Sequence, residues 1–164
     1  MIDFPQRKQL RLKEYDYSLP GTYFVTICAI ERLSLFGEIV ETGGNINQRR
    51  IQPSEIGKIV SECWNNININ TDCVKTDAFC LMPNHIHGII QIYEAGGQRR
   101  PPLQKIIQGF KSVSTRRCFK YDCKNIWQRG YYEHIINSDH ELQNVRQYII
   151  HNANNWREDQ YFAS

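Results

Sequence analysis

The chain has 164 residues, a formal net charge of +3, and apolar and aromatic contents of 41% and 12%, values of a folded protein rather than a disordered one. No stretch is apolar for the length a bilayer requires and residues 1–20 are polar and charged, which argues against a membrane span and a signal peptide. The cysteines at 28, 63, 73, 80, 118 and 123 form no CxxC pair and read as reduced thiols of a cytoplasmic protein, not as a disulfide framework or zinc site. In chain order, GTYFVTICAI (21–30) follows a Pro-Gly turn with β-branched and aromatic residues and is predicted to be a strand. LFGEIV and INQRRIQ flank ETGGN as a hairpin with a glycine-bearing turn. PSEIGKIVSECWNNI (53–67) sets Ile56, Ile59, Val60, Cys63, Trp64 and Ile67 at helical spacing. CVKTDAFCLM is the next strand, Pro83-Asn84 a turn, and HIHGIIQIY the strand after it. AGGQRRPP (95–102) is a flexible loop, LQKIIQGFKSVSTRRCF (103–119) a helix, and YYEHIIN a last strand. SDHELQNVRQYIIHNANNW (138–156) opens with a Ser cap and Glu141 three residues on, then turns helical.

Apart from the hairpin, the order is β-α-β-β-α-β with a further C-terminal helix. It predicts an α+β chain of the ferredoxin-like βαββαβ type, an antiparallel sheet with two helices on one face, with residues 1–164 forming one domain. Many functions share that fold, so function has to come from the site.

Charge is uneven along the chain. Residues 98–130 carry nine Lys and Arg against Asp122 alone, while the segments on either side are net acidic. Such asymmetry points to a polyanionic partner, against the plainer reading of a solvated basic helix.

Within LMPNHIHGIIQI (81–92), His85 and His87 interrupt an otherwise apolar strand. Residues i and i+2 of a strand share a face, so both imidazoles project together, close enough to hold one ion or one phosphate. Two half-buried, satisfied histidines would be the plain alternative, but imidazole is the commonest metal ligand near neutral pH. Two nitrogens do not complete a site. The last helix offers Tyr148 and Asn152, four residues apart and therefore on one helical face. An amide oxygen can complete a metal site, and a phenol beside a cation is easier to deprotonate into a nucleophile. Taken alone, Tyr148 also fits a buried stripe with Val145 and Ile149. Its rivals Tyr131 and Tyr132 lie in a strand without such a partner.

Taken in order, MPNHIHGII, KNIWQRGYYEHIIN and VRQYIIHN resemble the single-tyrosine HUH transposases, closest to the branch associated with repetitive extragenic palindromes (REP). The resemblance runs from RLKEYDYSLPGTYFVTI to NANNW. It implies the same βαββαβ fold, a divalent metal (Mg²⁺ or Mn²⁺) held by His85 and His87 with Asn152 as third ligand, and Tyr148 as nucleophile. The implied reaction is transesterification of single-stranded, hairpin-forming DNA through a 5′-phosphotyrosine, with the metal acting as a Lewis acid on the scissile phosphate. Lys105, Lys111, Arg116 and Arg117 would then contact the DNA backbone, in a cytoplasmic, nucleoid-associated monomer or homodimer. One departure stands out: REP-branch members often carry Asn-Pro after the tyrosine, and here Ala153 follows Asn152. A domesticated hairpin-binding protein that does not cut, and a metal-dependent phosphoesterase using water, are the alternatives. Whether Tyr148 serves its own subunit's metal or a partner's stays open.

Overall fold

The computed structural model describes residues 19–42, 48–69, 73–94, 101–159 and 161, and within them the strands and helices follow the predicted order. Most of the expected hairpin turn (43–47), most of the loop at 95–102, and the polar segment before residue 19 lie outside the described residues. The central strand β1 (Gly21–Cys28) pairs with β5 (His85–Ile92) on one side and β6 (Tyr132–Ile136) on the other. Strand β4 (Val74–Leu81) joins β5 from outside, giving the order β4-β5-β1-β6 with every pairing antiparallel. This is the ferredoxin-like arrangement. The hairpin strands β2 (Gly37–Glu41) and β3 (Arg49–Pro53) form a separate two-stranded sheet.

The sheet is covered on both faces, which is why residues 23–27 of β1 and 85–90 of β5 are buried without alternation. Helix α1 (Glu55–Asn65) starts where the Ser54 hydroxyl accepts a hydrogen bond from the Gly57 amide at 3.0 Å, and the same hydroxyl donates to the Leu35 carbonyl at 2.6 Å. Its Ile59, Val60 and Trp64 join Leu103, Ile107 and Phe110 of helix α2 (Leu103–Cys118) over Val25, Ile27, Ile86 and Ile90. Gly88 makes this packing possible: a β-carbon there would sit 2.2 Å from the Trp64 ring. The indole thus lies against the backbone of the strand that carries both site histidines.

Helix α3 (Asp139–His151) takes the opposite face. The Ser138 hydroxyl accepts from the Glu141 amide at 3.1 Å, and the Glu141 carboxylate reaches back to the Asn137 amide at 2.8 Å. Its Val145 and Ile149 bury against Phe24, Ile89 and Ile136. Arg146 fastens the helix to β4, its guanidinium donating to the Asp77 carboxylate at 3.2 Å and 2.5 Å. The sequence pattern extended this helix to Trp156, but it stops at His151. The run Asn152-Ala153-Asn154-Asn155 explains the early end, because asparagine side chains compete for backbone hydrogen bonds and favour turns. Bonds from the Asn152 amide to the Ile149 carbonyl and from the Asn155 amide to the Asn152 carbonyl tighten the exit. The reversal returns Trp156–Asp159 toward the sheet. No described helix is long and apolar enough to cross a membrane.

Candidate active site

His85 and His87 point from β5 toward the α3 face, their Nε2 atoms 3.0 Å apart, and both are essentially inaccessible to solvent. Their neighbours follow from the sheet register. Thr26 of β1 lies directly opposite His87, so its hydroxyl meets the Nδ1 of that ring at 2.7 Å. Phe24, two residues earlier on the same face, stacks on the His87 ring with centroids 5.3 Å apart.

His85 has a tautomer fixed by its partners. Asn84 donates its amide nitrogen to the Tyr161 carbonyl at 2.7 Å, so its amide oxygen faces His85 Nδ1 at 2.8 Å and must accept from it. The proton therefore sits on Nδ1, and Nε2 presents a lone pair to the site. A hydrogen bond behind the ring that frees the other nitrogen is the usual support of a metal-binding histidine.

Burial holds His85 well below the usual histidine range, with smaller contributions from His87 and Arg32, and it lowers His87 to about 3. Both rings are neutral near pH 7, as ligands must be. The unfolded chain binds protons near pH 6.5 that the folded rings refuse, so stability falls as the pH drops below that value. With metal chelated, urea unfolding between pH 7 and 5 should lose stability, the slope approaching roughly 1.4 kcal/mol per pH unit for each histidine once the pH is well below 6.5. The Asp159 carboxyl, raised by burial, opposes this as its own titration is approached. A flat urea midpoint over that interval would contradict the buried neutral pair.

Tyr148 sits on the inner side of α3 with its hydroxyl 3.4 Å from His87 Nε2 of the same chain. Its phenol is raised above the ordinary tyrosine value, first by burial and then by the Asp159 carboxylate, while a hydrogen bond with Asn152 works the other way. Asn152, one turn on as the spacing predicts, is 2% exposed, and its side-chain oxygen has no hydrogen-bond donor. Asp159, in the segment that returns after the helix, brings a carboxylate oxygen 3.7 Å from His85 Nε2. One ring nitrogen of each histidine and one Asp159 carboxylate oxygen lie within 4.8 Å of one another. Trp156 stacks on His85 at 5.9 Å, and the Tyr161 ring lies 4.7 Å from it. Arg32, in a turn where Glu31 and Arg32 both adopt positive φ, places its guanidinium 5.5 Å over the Tyr161 ring.

Sequence reasoning singled out His85, His87, Tyr148 and Asn152, and the fold brings these four together. It missed Asp159, Thr26, Asn84, Tyr161 and Arg32. Only Pro83-Asn84 beside the histidines carried any signal. The grouping suits a divalent cation: two neutral imidazoles with facing Nε2 atoms and one carboxylate, all withdrawn from water. Buried acceptors without donors are costly unless a cation satisfies them.

The four basic residues singled out on α2 divide. Lys105 and Arg116 are exposed. Lys111 donates to the carbonyls of Gln128 and Gly130 at 2.9 and 2.5 Å, and burial lowers its ammonium to about 8. Arg117 forms an ion pair with Glu62 of α1. Arg116 and Lys111 border a groove of about 790 Å³ between α2 and residues 125–131, with Arg129 and Trp127 opposite. Helix α2 covers the sheet face away from the histidines, and the groove meets the sheet edge where Gln128 donates to the Cys28 carbonyl beside β6.

A family model described as "Transposase IS200 like" matches residues 46–152. An uncharacterized protein of Haemophilus influenzae is 36% identical over 96% of this chain and 93% of its own length. A candidate REP-associated tyrosine transposase of the same organism is 31% identical over 48% of each chain. Among solved structures, a REP-associated tyrosine transposase bound to a REP hairpin superposes with a TM-score of 0.57 at 18% identity, over 87% of this chain and 72% of that one. A candidate transposase from Deinococcus radiodurans superposes at 0.50 and 15% identity, over 85% and 95%.

Proposed function

This chain belongs to the IS200-like transposase family, and on that premise we propose that it is a metal-dependent transposase that cleaves and rejoins single-stranded, hairpin-forming DNA through Tyr148. The observation that carries this reading is the Tyr148 hydroxyl, 3.4 Å from the Nε2 of His87, which faces the Nε2 of His85 at 3.0 Å in a buried pair of neutral imidazoles. His85, His87 and Asn152 would hold Mg²⁺ or Mn²⁺, which when bound supplies Lewis acidity and charge neutralisation at a phosphate. Imidazole ligands favour Mn²⁺ in affinity and cellular abundance favours Mg²⁺. Tyr148 attacks phosphorus, the bond to the 3′ oxygen breaks, and the products are a 5′-phosphotyrosine and a free 3′-hydroxyl. The covalent link keeps the reaction reversible, so rejoining needs no nucleotide cofactor. Thr26 and Asn84 keep the imidazoles oriented, and Phe24 and Ile149 exclude water around them.

DNA is the partner, as supported by the hairpin bound to the structural neighbour and by the basic segment. Phosphate contacts are assigned to Lys105 and Arg116, joined by Arg129 across the groove, while Lys111 acts through the 128–130 segment it holds and Arg117 is engaged by Glu62. DNA running along the groove rounds the sheet edge at β6 to reach the histidine face. Arg116→Ala should weaken hairpin binding and lower the slope of log affinity against log salt by about one. An unchanged slope would put the DNA path elsewhere.

The test of the function is a denaturation-resistant adduct between the wild-type chain and end-labelled hairpin DNA in Mn²⁺. Binding without any adduct, in any divalent metal, would favour a protein that holds hairpins without cutting them. Cleavage without an adduct would favour a water nucleophile.

A further inference from the structure

We propose that Asp159 is an anionic ligand of the ion held by His85 and His87, so that metal loading fastens the returning segment around Trp156–Asp159 over the site. This rests on the reading of the histidine pair as a metal centre. The Asp159 side chain is 2% exposed, and one of its carboxylate oxygens is buried without a hydrogen-bond donor, 3.7 Å from His85 Nε2. The Asn152 side chain lies beside it, its amide nitrogen donating toward Asp159 and Tyr148 while its oxygen is buried without a donor. Leaving that Asp159 oxygen dry and unpaired is destabilising, and a divalent cation between it and the imidazoles would satisfy it. Charge balance agrees. Two neutral imidazoles and one carboxylate leave a divalent ion with a net single positive charge, enough to attract a phosphate without releasing the metal.

The consequence is coupling between the ion and the chain. Trp156 stacks on His85, and the Tyr161 carbonyl accepts from the Asn84 amide that fixes the same ring, so this segment touches the ligand set from behind as well as in front. By linkage, the factor by which segment docking raises metal affinity equals the factor by which metal favours docking.

The experiment uses the full chain with Mn²⁺ as probe. Free Mn²⁺ is titrated by electron paramagnetic resonance in the wild type, D159N and H87A. In parallel, trypsin cleavage after Arg157, which is exposed, is timed by mass spectrometry with and without saturating Mn²⁺. D159N should bind Mn²⁺ at least about tenfold more weakly, the smallest effect expected when a supporting group of a metal site is removed. Mn²⁺ should slow cleavage after Arg157 by a similar factor in the wild type and not in D159N. Wild-type affinity in D159N, or cleavage of the Mn²⁺-saturated wild type at the metal-free rate, would overturn the assignment while H87A continues to support the metal centre. A wild type that binds no Mn²⁺ would overturn the metal centre itself and this inference with it. If D159N fails to fold, protection of the wild-type Arg157 bond decides alone.

Discussion

Tyr148→Phe should abolish covalent attachment to hairpin DNA while leaving hairpin binding at the wild-type level. The substitution removes one oxygen and keeps the ring that meets Phe24 edge-on with centroids 6.1 Å apart, so α3 should dock as before. Adduct yield should fall at least about a thousandfold, within the range observed when an enzyme loses its nucleophile. The serious rival is Tyr132, which pairs opposite Thr26 and packs beside Phe24 on the same sheet face. Tyr131 packs against the core on the other face. Tyr131→Phe and Tyr132→Phe should both still form the adduct, and mass spectrometry of the digested adduct should find nucleotide on the peptide containing Tyr148. Nucleotide on Tyr132 would transfer the role to the strand.

The second large effect concerns the histidines. His85→Ala and His87→Ala should each eliminate cleavage and, separately, eliminate stabilisation by Mn²⁺. A ligand that binds only the native state stabilises it by about 2.7 kcal/mol at a hundred times its dissociation constant, and the wild type should show a thermal shift of that order. Removing either ring also opens a cavity, and His87→Ala deprives the Thr26 hydroxyl of its 2.7 Å partner, so the metal-free variants should themselves be less stable. For that reason the comparison is made within each variant, with and without metal, where the packing cost cancels. A Mn²⁺-dependent shift of wild-type size in either variant would return the pair to the role of core residues.

Periodicity carried the sequence reading as far as local geometry reaches. The spacing of His85 and His87 fixes a shared strand face, and that of Tyr148 and Asn152 a shared helical face, because both follow from backbone geometry alone. The order of elements then determined the sheet, since few topologies connect β-α-β-β-α-β without crossing. Thr26 could not be found this way. Its role comes from the β1–β5 register, a pairing across 61 residues that no local pattern records. Asp159 was hidden for a related reason: it reaches the site only because α3 ends at His151 and the asparagine run turns the chain back, where the pattern had continued the helix. Lys111 was legible as charge but not as a buried donor to two carbonyls, since its partners belong to an irregular segment. Net charge identifies a basic stretch; it does not identify which cations already have work inside the fold.

The alternation along β5 has a further consequence for how such a chain can change over generations. His85 and His87 face α3, while Ile86, Gly88 and Ile90 face Trp64 and the α1–α2 layer. Substitutions on one set leave the packing of the other intact, so inheritance of the fold and inheritance of the chemistry are separable at single-residue resolution. Apolar residues in place of the imidazoles would bury well and would not face protonation in mild acid. Selection for a stable fold therefore gives no reason to keep two histidines at 85 and 87. Only selection on what they hold does, and a lineage released from that selection could lose them one at a time while its sheet, its basic helix and its groove persisted.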